Sequence, residues 1–445
     1  MKILVLGSDG RAHALVWKLF SSAAADLLIA PGNGGATLLA PQVELDPQDV
    51  VEVARWAFSE GIELIIPAET GPLAAGLVDE VVTMQIGVCG PPQRATPLER
   101  SRCYARAFLE RYGLPLARGR VCTDLATAEK YLAAMALPVV VKADRPELGT
   151  GVYLDRYSAL EALRNSFLVP SLDGPVAGLV IEEHLAGPVF SLTALTDGTT
   201  AIPLRAVRLY DQLGPEPDSP LAPGMGAFVS SSVYARRLTD LLHTRVIQPI
   251  IAALAREGLP YWGFLGVDCI VTEQGPRLIG LRCSLRDLEA QVVLPLLEGD
   301  LLPVIEATIA RRLDRFGALN WRDESCVALG LVAQGYPHHF PTGGLIEGLS
   351  ELDEGVLVFH SQTHNPGGMR YAPSSRGGNL LAGLLMGSGS SNMPAGISVN
   401  GGHVLSVVAT GATLAGARGR ALLNAERIRF PGRTFREDVA AHEFR

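Results

Sequence analysis

The segment Lys2-Ile3-Leu4-Val5-Leu6 runs straight into Gly7-Ser8-Asp9-Gly10, and a helical pattern follows from about His13 to Phe20. An apolar strand, a tight turn and a helix, in that order, commit the start of the chain to a parallel sheet covered by helices. The pattern repeats. A strand at 27–30 ends at Pro31-Gly32-Asn33-Gly34-Gly35, a helix is expected over 47–60, a strand at 64–66, and after a further helix a strand at 86–89. Gly90-Pro91-Pro92 closes this unit, so an N-terminal α/β domain is placed over 1–100.

A helix over 97–112 opens a second region, 101–325. Strands at 138–143 and 151–154, a helix over 157–166 and a strand at 178–182 form a small α/β unit, a mobile lid over about 120–188. Strands near 189–196, 200–206, 262–271 and 276–281 follow. A last domain, 326–445, begins with the strand in VALGLVAQGYP and ends with a strand at 404–409 and a helix over 413–427. Residues 366–396 are rich in Gly, Ser, Asn and Pro and read as a loosely ordered insertion.

Bulk properties narrow the function. The net charge of -8 and the lack of a basic run argue against nucleic acid and acidic membranes as partners. No run of about 20 apolar residues suggests a membrane span. The N-terminal apolar run is cut by Gly7, Asp9, Gly10 and Arg11, a poor signal peptide and a good first strand. The six cysteines form no CxxC pair, so reduced thiols in a cytoplasmic protein are expected. Lysine is confined to Lys2, Lys18, Lys130 and Lys142, which leaves few candidates for any chemistry that needs it.

Four segments could hold a ligand. The loop Gly7 to Gly10 lies at a helix N-terminus, where phosphate can approach the backbone. Asp9 opposes that unless it points away, and the second strand ends in Ala30-Pro31-Gly32-Asn33, without the acid an NAD ribose needs. Lys142, on a strand that leads into Gly149-Thr150-Gly151, suits a lid over nucleotide phosphates, against the plainer reading of a hairpin with a surface lysine. Val180-Ile181-Glu182-Glu183 could offer backbone groups to an adenine edge, or be a strand followed by two charges. Gly224-Met225-Gly226 allows close backbone approach to a ligand, or is a flexible turn. His184 reads as a linker histidine, and His338-His339 as a solvated loop rather than a metal site.

Taken in order, the motifs resemble those of the phosphoribosylamine–glycine ligase (glycinamide ribonucleotide synthetase) family of ATP-grasp enzymes. The matches include Gly10-Arg11-Ala12-His13, Ala30 to Gly35, Val140 to Asp144, Val180 to Glu183, Gly224 to Ala227, Gly263 to Gly266, Asp287 with Glu289 and Gln291, Phe359-His360, Asn400 to Gly402 and Glu426 to Phe430. The resemblance implies an α/β ATP-grasp fold with an N-terminal parallel-sheet (Rossmann-like) domain and a C-terminal α+β domain. It implies ATP-dependent joining of glycine to 5-phosphoribosylamine through an acyl phosphate, in purine biosynthesis. ATP and Mg2+ would be cofactors, and the partners would be small molecules (a nucleotide, a sugar phosphate, an amino acid), with the protein a monomer or homodimer. Carried over by position, Arg102, Lys142, Gly149, Gly151, Glu182 and Glu183 would meet the nucleotide. Gly10, Arg11, Asn33, Gly34 and Asp287 would meet the other substrates.

The departures cluster where the chemistry sits. The family's metal strand, Glu-Phe-Asn, is Gly280-Leu281-Arg282, so no metal ligand is assigned. A glycine-loop lysine is Thr150, a Gly-Glu-Glu segment is Gly187-Pro188-Val189, and Asn-Thr-Gly is Leu221-Ala222-Pro223. Magnesium wants oxygen ligands, and a guanidinium repels it. Asp268 on the neighbouring strand could supply a carboxylate, and Arg282 could hold a phosphate. Two readings follow: a working ligase, or a catalytically impaired paralogue that binds a ligand, scaffolds other proteins or uses a changed substrate.

Overall fold

The computed structural model describes residues 1–168, 178–216, 219–371, 396–441 and 443. The N-terminal sheet is fully parallel, in the order Asp26–Pro31, Lys2–Gly7, Leu64–Pro67, Gly87–Val88. The helix expected from His13 starts earlier, spanning Gly10–Phe20, because Asp9 caps it: the carboxylate accepts from the backbone N–H groups of Arg11 and Ala12. Most of this helix is buried, since its other side packs against the helix Asp287–Val293 from the middle of the chain.

The expected helix over 97–112 is two helices, Pro97–Arg100 and Arg102–Arg111. Ser101 breaks it. Its backbone is extended, its hydroxyl caps the second helix at Tyr104 N, and the same hydroxyl donates to Asp144 Oδ1 at 2.7 Å. The break puts Arg102 at the first position of the new helix, against the lid.

The lid is an antiparallel sheet in the order Gly119–Cys122, Leu179–Glu183, Val139–Ala143, Thr150–Tyr153. Strand side chains alternate faces. Val139, Val141, Leu179 and Ile181 pack with residues of the helices Leu125–Ala134 and Arg156–Leu168. Lys142, Val180 and Glu182 therefore face the opposite way, into a cleft.

Beneath the lid lies a ten-stranded sheet. Its main path runs Gly275–Arg282, Gly263–Thr272, Val189–Thr196, Val207–Gln212, Leu221–Val229, Ser325–Ala333, His403–Gly411, Leu357–His360. The sheet passes without a break from the middle region into the last, since Leu221–Val229 pairs with Ser325–Ala333. Gly224-Met225-Gly226 lies inside a strand and not in a flexible turn. Its glycines serve packing, since a Cβ at Gly226 would lie 2.3 Å from Val439 Cγ2. Most of the expected insertion, 372–395, lies outside the described residues. Its first residues are tied to the N-terminal domain: Tyr371 Oη receives a hydrogen bond from Lys2 Nζ at 3.0 Å, and Gln42 N donates to Met369 O.

Candidate active site

Two cavities share one wall. The first, about 270 Å³, lies between the lid and the edge of the large sheet, and is lined by Glu99, Arg102, Arg106, Lys142, Glu182, Asp268, Gly280, Arg282 and Arg286 among others. The second, about 360 Å³, lies between the N-terminal helix and the large sheet, and is lined by Asp9, Arg11, Asp211, Gly224, Arg282, Arg286, Asp287, Tyr336 and His403 among others. Arg282 and Arg286 line both.

In the first cavity, Lys142 is nearly buried. Its Nζ lies 2.6 Å from Glu182 Oε2 and donates to Ile279 O at 3.3 Å. The other oxygen of Glu182 accepts from Arg106 Nη1 at 2.7 Å. Arg102 donates to the carbonyls of Ala143 (3.2 Å) and Gly149 (2.5 Å), which fastens the hairpin that carries Lys142. Burial lowers the proton affinity of the Arg102 guanidinium, against the opposing pull of Glu182, Glu147 and Asp144. Gly149 holds the hairpin turn with φ +96°, and Gly151 lets Tyr153 fold across the strand, where a Cβ would be 2.4 Å from its hydroxyl oxygen. Glu183 points away from the cleft: it accepts from Arg118 N at 2.7 Å, and its own N–H donates to Arg118 O.

The shared wall is built on the strand pair Gly263–Thr272 and Gly275–Arg282. Arg282 stands across from Gly266, and Asp268 across from Gly280. Gly266 makes the room, because a Cβ there would lie 2.8 Å from Arg282 Nη2. The Arg282 guanidinium donates through Nη1 to Asp268, and through Nη2 to Ser191 Oγ (2.6 Å) and Glu289 Oε2 (2.8 Å). Arg286 donates to the second oxygen of Asp268 at 3.0 Å and pairs with Asp211. Burial would raise the Asp268 carboxyl, but the two arginines outweigh it and hold it below the usual carboxylate range. Arg286 is likewise held more firmly protonated than an ordinary arginine: Asp211 and Asp268 outweigh its burial.

In the second cavity, Arg11 bonds Asp9 and donates to Leu285 O at 2.8 Å. Asp9 therefore sits on the helix N-terminus itself, where it caps the helix and holds Arg11, and it opposes a phosphate there. Asp287 accepts from Gln291 Nε2 at 2.7 Å and lies 3.7 Å from His403 Nδ1. Burial, and then the neighbouring Asp9, push the Asp287 carboxyl up; burial and Asp9 do the same to Glu69. Gly10 is pressed against Gln291 and Asp287, and any side chain there would collide.

Asn33 and Gly34 line a third cavity of about 330 Å³, with Ser8, Thr37 and Thr363. Asn33 is nevertheless occupied. Its Nδ2 donates to the carbonyls of Ser8, Asp9 and His360, and its Oδ1 accepts from Gly35 N and Ala36 N. The Gly34 N–H is bonded to Thr363. Of the expected substrate residues, Arg11 and Asp287 thus line the second cavity, Asn33 and Gly34 line the third, and Gly10 lines neither. Arg286, Asp211 and Arg106 were not singled out from the sequence. Their signal there is faint: arginine carries nearly all the positive charge, and nothing local marks which ones converge. Among the described residues no group of three or more His, Cys, Asp or Glu is placed to hold a metal ion, and no helix is long and apolar enough to cross a membrane. His338 and His339 are exposed.

A parallel N-terminal domain, a small antiparallel lid and a large sheet closing a cleft between them define an ATP-grasp protein. The chain belongs to the phosphoribosylglycinamide synthetase family: the N domain of that family matches residues 1–99, its ATP-grasp (A) domain 100–290 and its C domain 326–442. It is 32% identical over 442 residues to the phosphoribosylamine–glycine ligase of Mesorhizobium japonicum, covering 99% of this chain and 97% of that one. It is 34% identical over 446 residues to the phosphoribosylamine–glycine ligase of Phenylobacterium zucineum, covering 99% and 98%. The crystal structure of phosphoribosylamine–glycine ligase from Thermotoga maritima has the same fold, with a TM-score of 0.80 at 24% identity over 99% of this chain and all of that one. The biotin carboxylase domain of Hydrogenobacter thermophilus 2-oxoglutarate carboxylase, crystallised with MgADP, is a more distant likeness (TM-score 0.64, 15% identity, 97% of this chain and 91% of that one). The alternative of an impaired paralogue gains no support from these relatives.

Proposed function

We propose that this chain is an ATP-dependent, ADP-forming carboxylate–amine ligase that joins glycine to 5-phosphoribosylamine in purine biosynthesis. It would act in the cytoplasm as a monomer or homodimer. The observation that carries the reading is the shared wall: Arg282 and Arg286 face both the lid cavity and its neighbour. A nucleotide in the first cavity would have its phosphates among Lys142, Arg102 and these arginines. The glycine carboxylate, entering from the second cavity, would meet the terminal phosphoryl group at the arginine wall.

Transfer of that group to the carboxylate oxygen breaks the bond to ADP and forms an acyl phosphate. Attack by the amine nitrogen on the acyl carbon then expels phosphate and leaves an amide. Fixed guanidinium groups stabilise the charge that develops on the transferring oxygens. The buried acids of the second cavity, Asp287 above all, favour a substrate amine. Nucleotide-side roles are proposed for Arg102, Lys142, Glu182, Gly149 and Gly151. Glu183 acts through the strand it ends. Gly10, Arg11 and Asp287 would shape the amine and carboxylate site, with Asn33 and Gly34 shaping the sugar-phosphate side.

Magnesium supplies phosphate bridging in this family's chemistry, but the residues present do not fit it. Gly280 offers no ligand, and both oxygens of Asp268 are bonded to guanidinium groups. The test is ADP release with glycine, phosphoribosylamine and ATP. Turnover that Lys142→Ala abolishes is expected; no ADP release under any metal condition overturns the assignment.

A further inference from the structure

Arg282 sits where two buried acids converge. One nitrogen holds Asp268 and another holds Glu289, so a single guanidinium spans the pair. The Glu289 side chain is fully buried and that of Asp268 is 12% exposed. Ser191 Oγ completes the ring, donating to Glu289 Oε2 at 2.7 Å while accepting from Arg282 Nη2. Without the guanidinium these two carboxylates would face each other across a small buried gap. That is the donor set and charge that draw in a hard divalent cation.

We propose that Arg282 is a built-in replacement for a divalent cation: it fills the space between Asp268 and Glu289, and this chain binds its nucleotide without magnesium. The inference rests on the nucleotide reading of the lid cavity. Three further observations support it. Gly266 opposite Arg282 leaves room for the guanidinium and for no larger neighbour. Arg286 closes the remaining oxygen of Asp268, so a metal entering there has to displace an arginine. Arg282 also lines both cavities, where an arriving phosphate would find a positive charge already fixed in place. An arginine held by two acids and a hydroxyl is oriented before any ligand arrives, whereas a metal has to be bound and stripped of water.

The test has two independent arms. In the first, binding of ADP and of a non-hydrolysable ATP analogue to the intact wild-type chain is measured by calorimetry, in excess magnesium and in EDTA. The expected result is equal affinity within about twofold; a loss of tenfold or more in EDTA overturns the proposal. The second arm uses Mn2+ alone, read by electron paramagnetic resonance. Wild type is expected to bind none at this site, while Arg282→Asn and the double variant Gly280→Glu with Arg282→Asn take up one ion. Space exists for the added glutamate, since a Cβ at Gly280 meets nothing nearer than Asp268 Oδ2 at 3.8 Å. Tight Mn2+ binding by wild type at this site, or none by the double variant, overturns the proposal. If nucleotide binds in neither condition, the ligase assignment falls, and the Mn2+ arm still decides whether Arg282 fills a cation site. Arg282→Lys keeps a charge but not the fork that spans both acids; it is expected to bind no Mn2+ and to weaken nucleotide binding, and the thermal melt of each variant is the check on folding.

Discussion

Lys142 Nζ lies 2.6 Å from Glu182 Oε2 on the neighbouring lid strand and reaches Ile279 O on the large sheet at 3.3 Å. One ammonium group therefore ties the lid to the body and faces the cleft. Lys142→Met removes both. Loss of a placed charge of this kind costs about 10²–10³ in turnover. The expected result is that drop in ADP release, with weaker nucleotide binding and faster amide exchange in residues 139–153.

Glu182 holds a second cation, Arg106, at 2.7 Å, with both side chains almost fully buried. Arg106→Met leaves that carboxylate with Lys142 alone. Breaking a buried pair from one side costs about 3–5 kcal/mol. A fall of that order in urea-induced unfolding of the lid is expected, and Arg106→Lys, which keeps a cation beside Glu182, should lose less.

Asn33 ties the N-terminal domain to the last region, because Nδ2 reaches His360 O at 2.8 Å as well as Ser8 and Asp9. Asn33→Ala strands several buried backbone groups. At about 1–3 kcal/mol for each group left unsatisfied, a loss of about 2–4 kcal/mol is expected, read as a lower denaturant midpoint. Gly35→Ala should also destabilise, since its Cβ would lie 2.4 Å from His360 Cδ2 and 2.5 Å from His13 Cε1.

The two classes of buried acid give opposite pH dependences. Asp287 and Glu69 are raised by burial and by Asp9, so the folded state holds their protons more tightly than the unfolded chain. Stability from them grows as pH falls through the raised folded values towards the lower unfolded ones. Asp287→Asn is expected to raise the melting temperature at pH 7 and to shrink the gain seen on acidification. Asp268, lowered by Arg282 and Arg286 against its burial, stabilises above the unfolded value of about 3.9 and loses that only as pH falls through its depressed folded value. Thermal melts from pH 7 down to pH 3 separate the two.

Burial pushes the Cys89 and Cys269 thiols up to about 12, and burial together with Asp144 does the same for Cys103. Thiolate is the reactive form. Native protein at pH 8 is expected to react slowly with a disulfide reagent at all three, and all six cysteines should react once guanidinium chloride unfolds the chain.

The N-terminal sheet could be read from the chain because each strand is a short apolar run, and all but Leu64–Pro67 run into a glycine. Lys142 could also be read, since alternation along 139–143 puts it opposite the lid's core. The arginine wall could not. Asp268 reads in the sequence as a carboxylate that could serve a metal, yet its partners depend on a cross-strand register that has an irregularity between Asp268 and Cys269. Local pattern carries no information on that. Asn33 matched its family position, but nothing in Pro31-Gly32-Asn33-Gly34 shows that its amide is spent on three carbonyls, one of them 327 residues away.

The unbroken sheet across Leu221–Val229, Ser325–Ala333 and His403–Gly411 decides how this chain can be divided. All nine residues of Ser325–Ala333 are buried. A gene split near residue 326 would give two polypeptides, each ending in a long, apolar, unpaired strand edge, the kind that seeks any partner strand. Made separately, the halves should precipitate; made together, they should find each other by that edge, so the domain boundary that the sequence suggests at 326 is the place where the molecule is least separable.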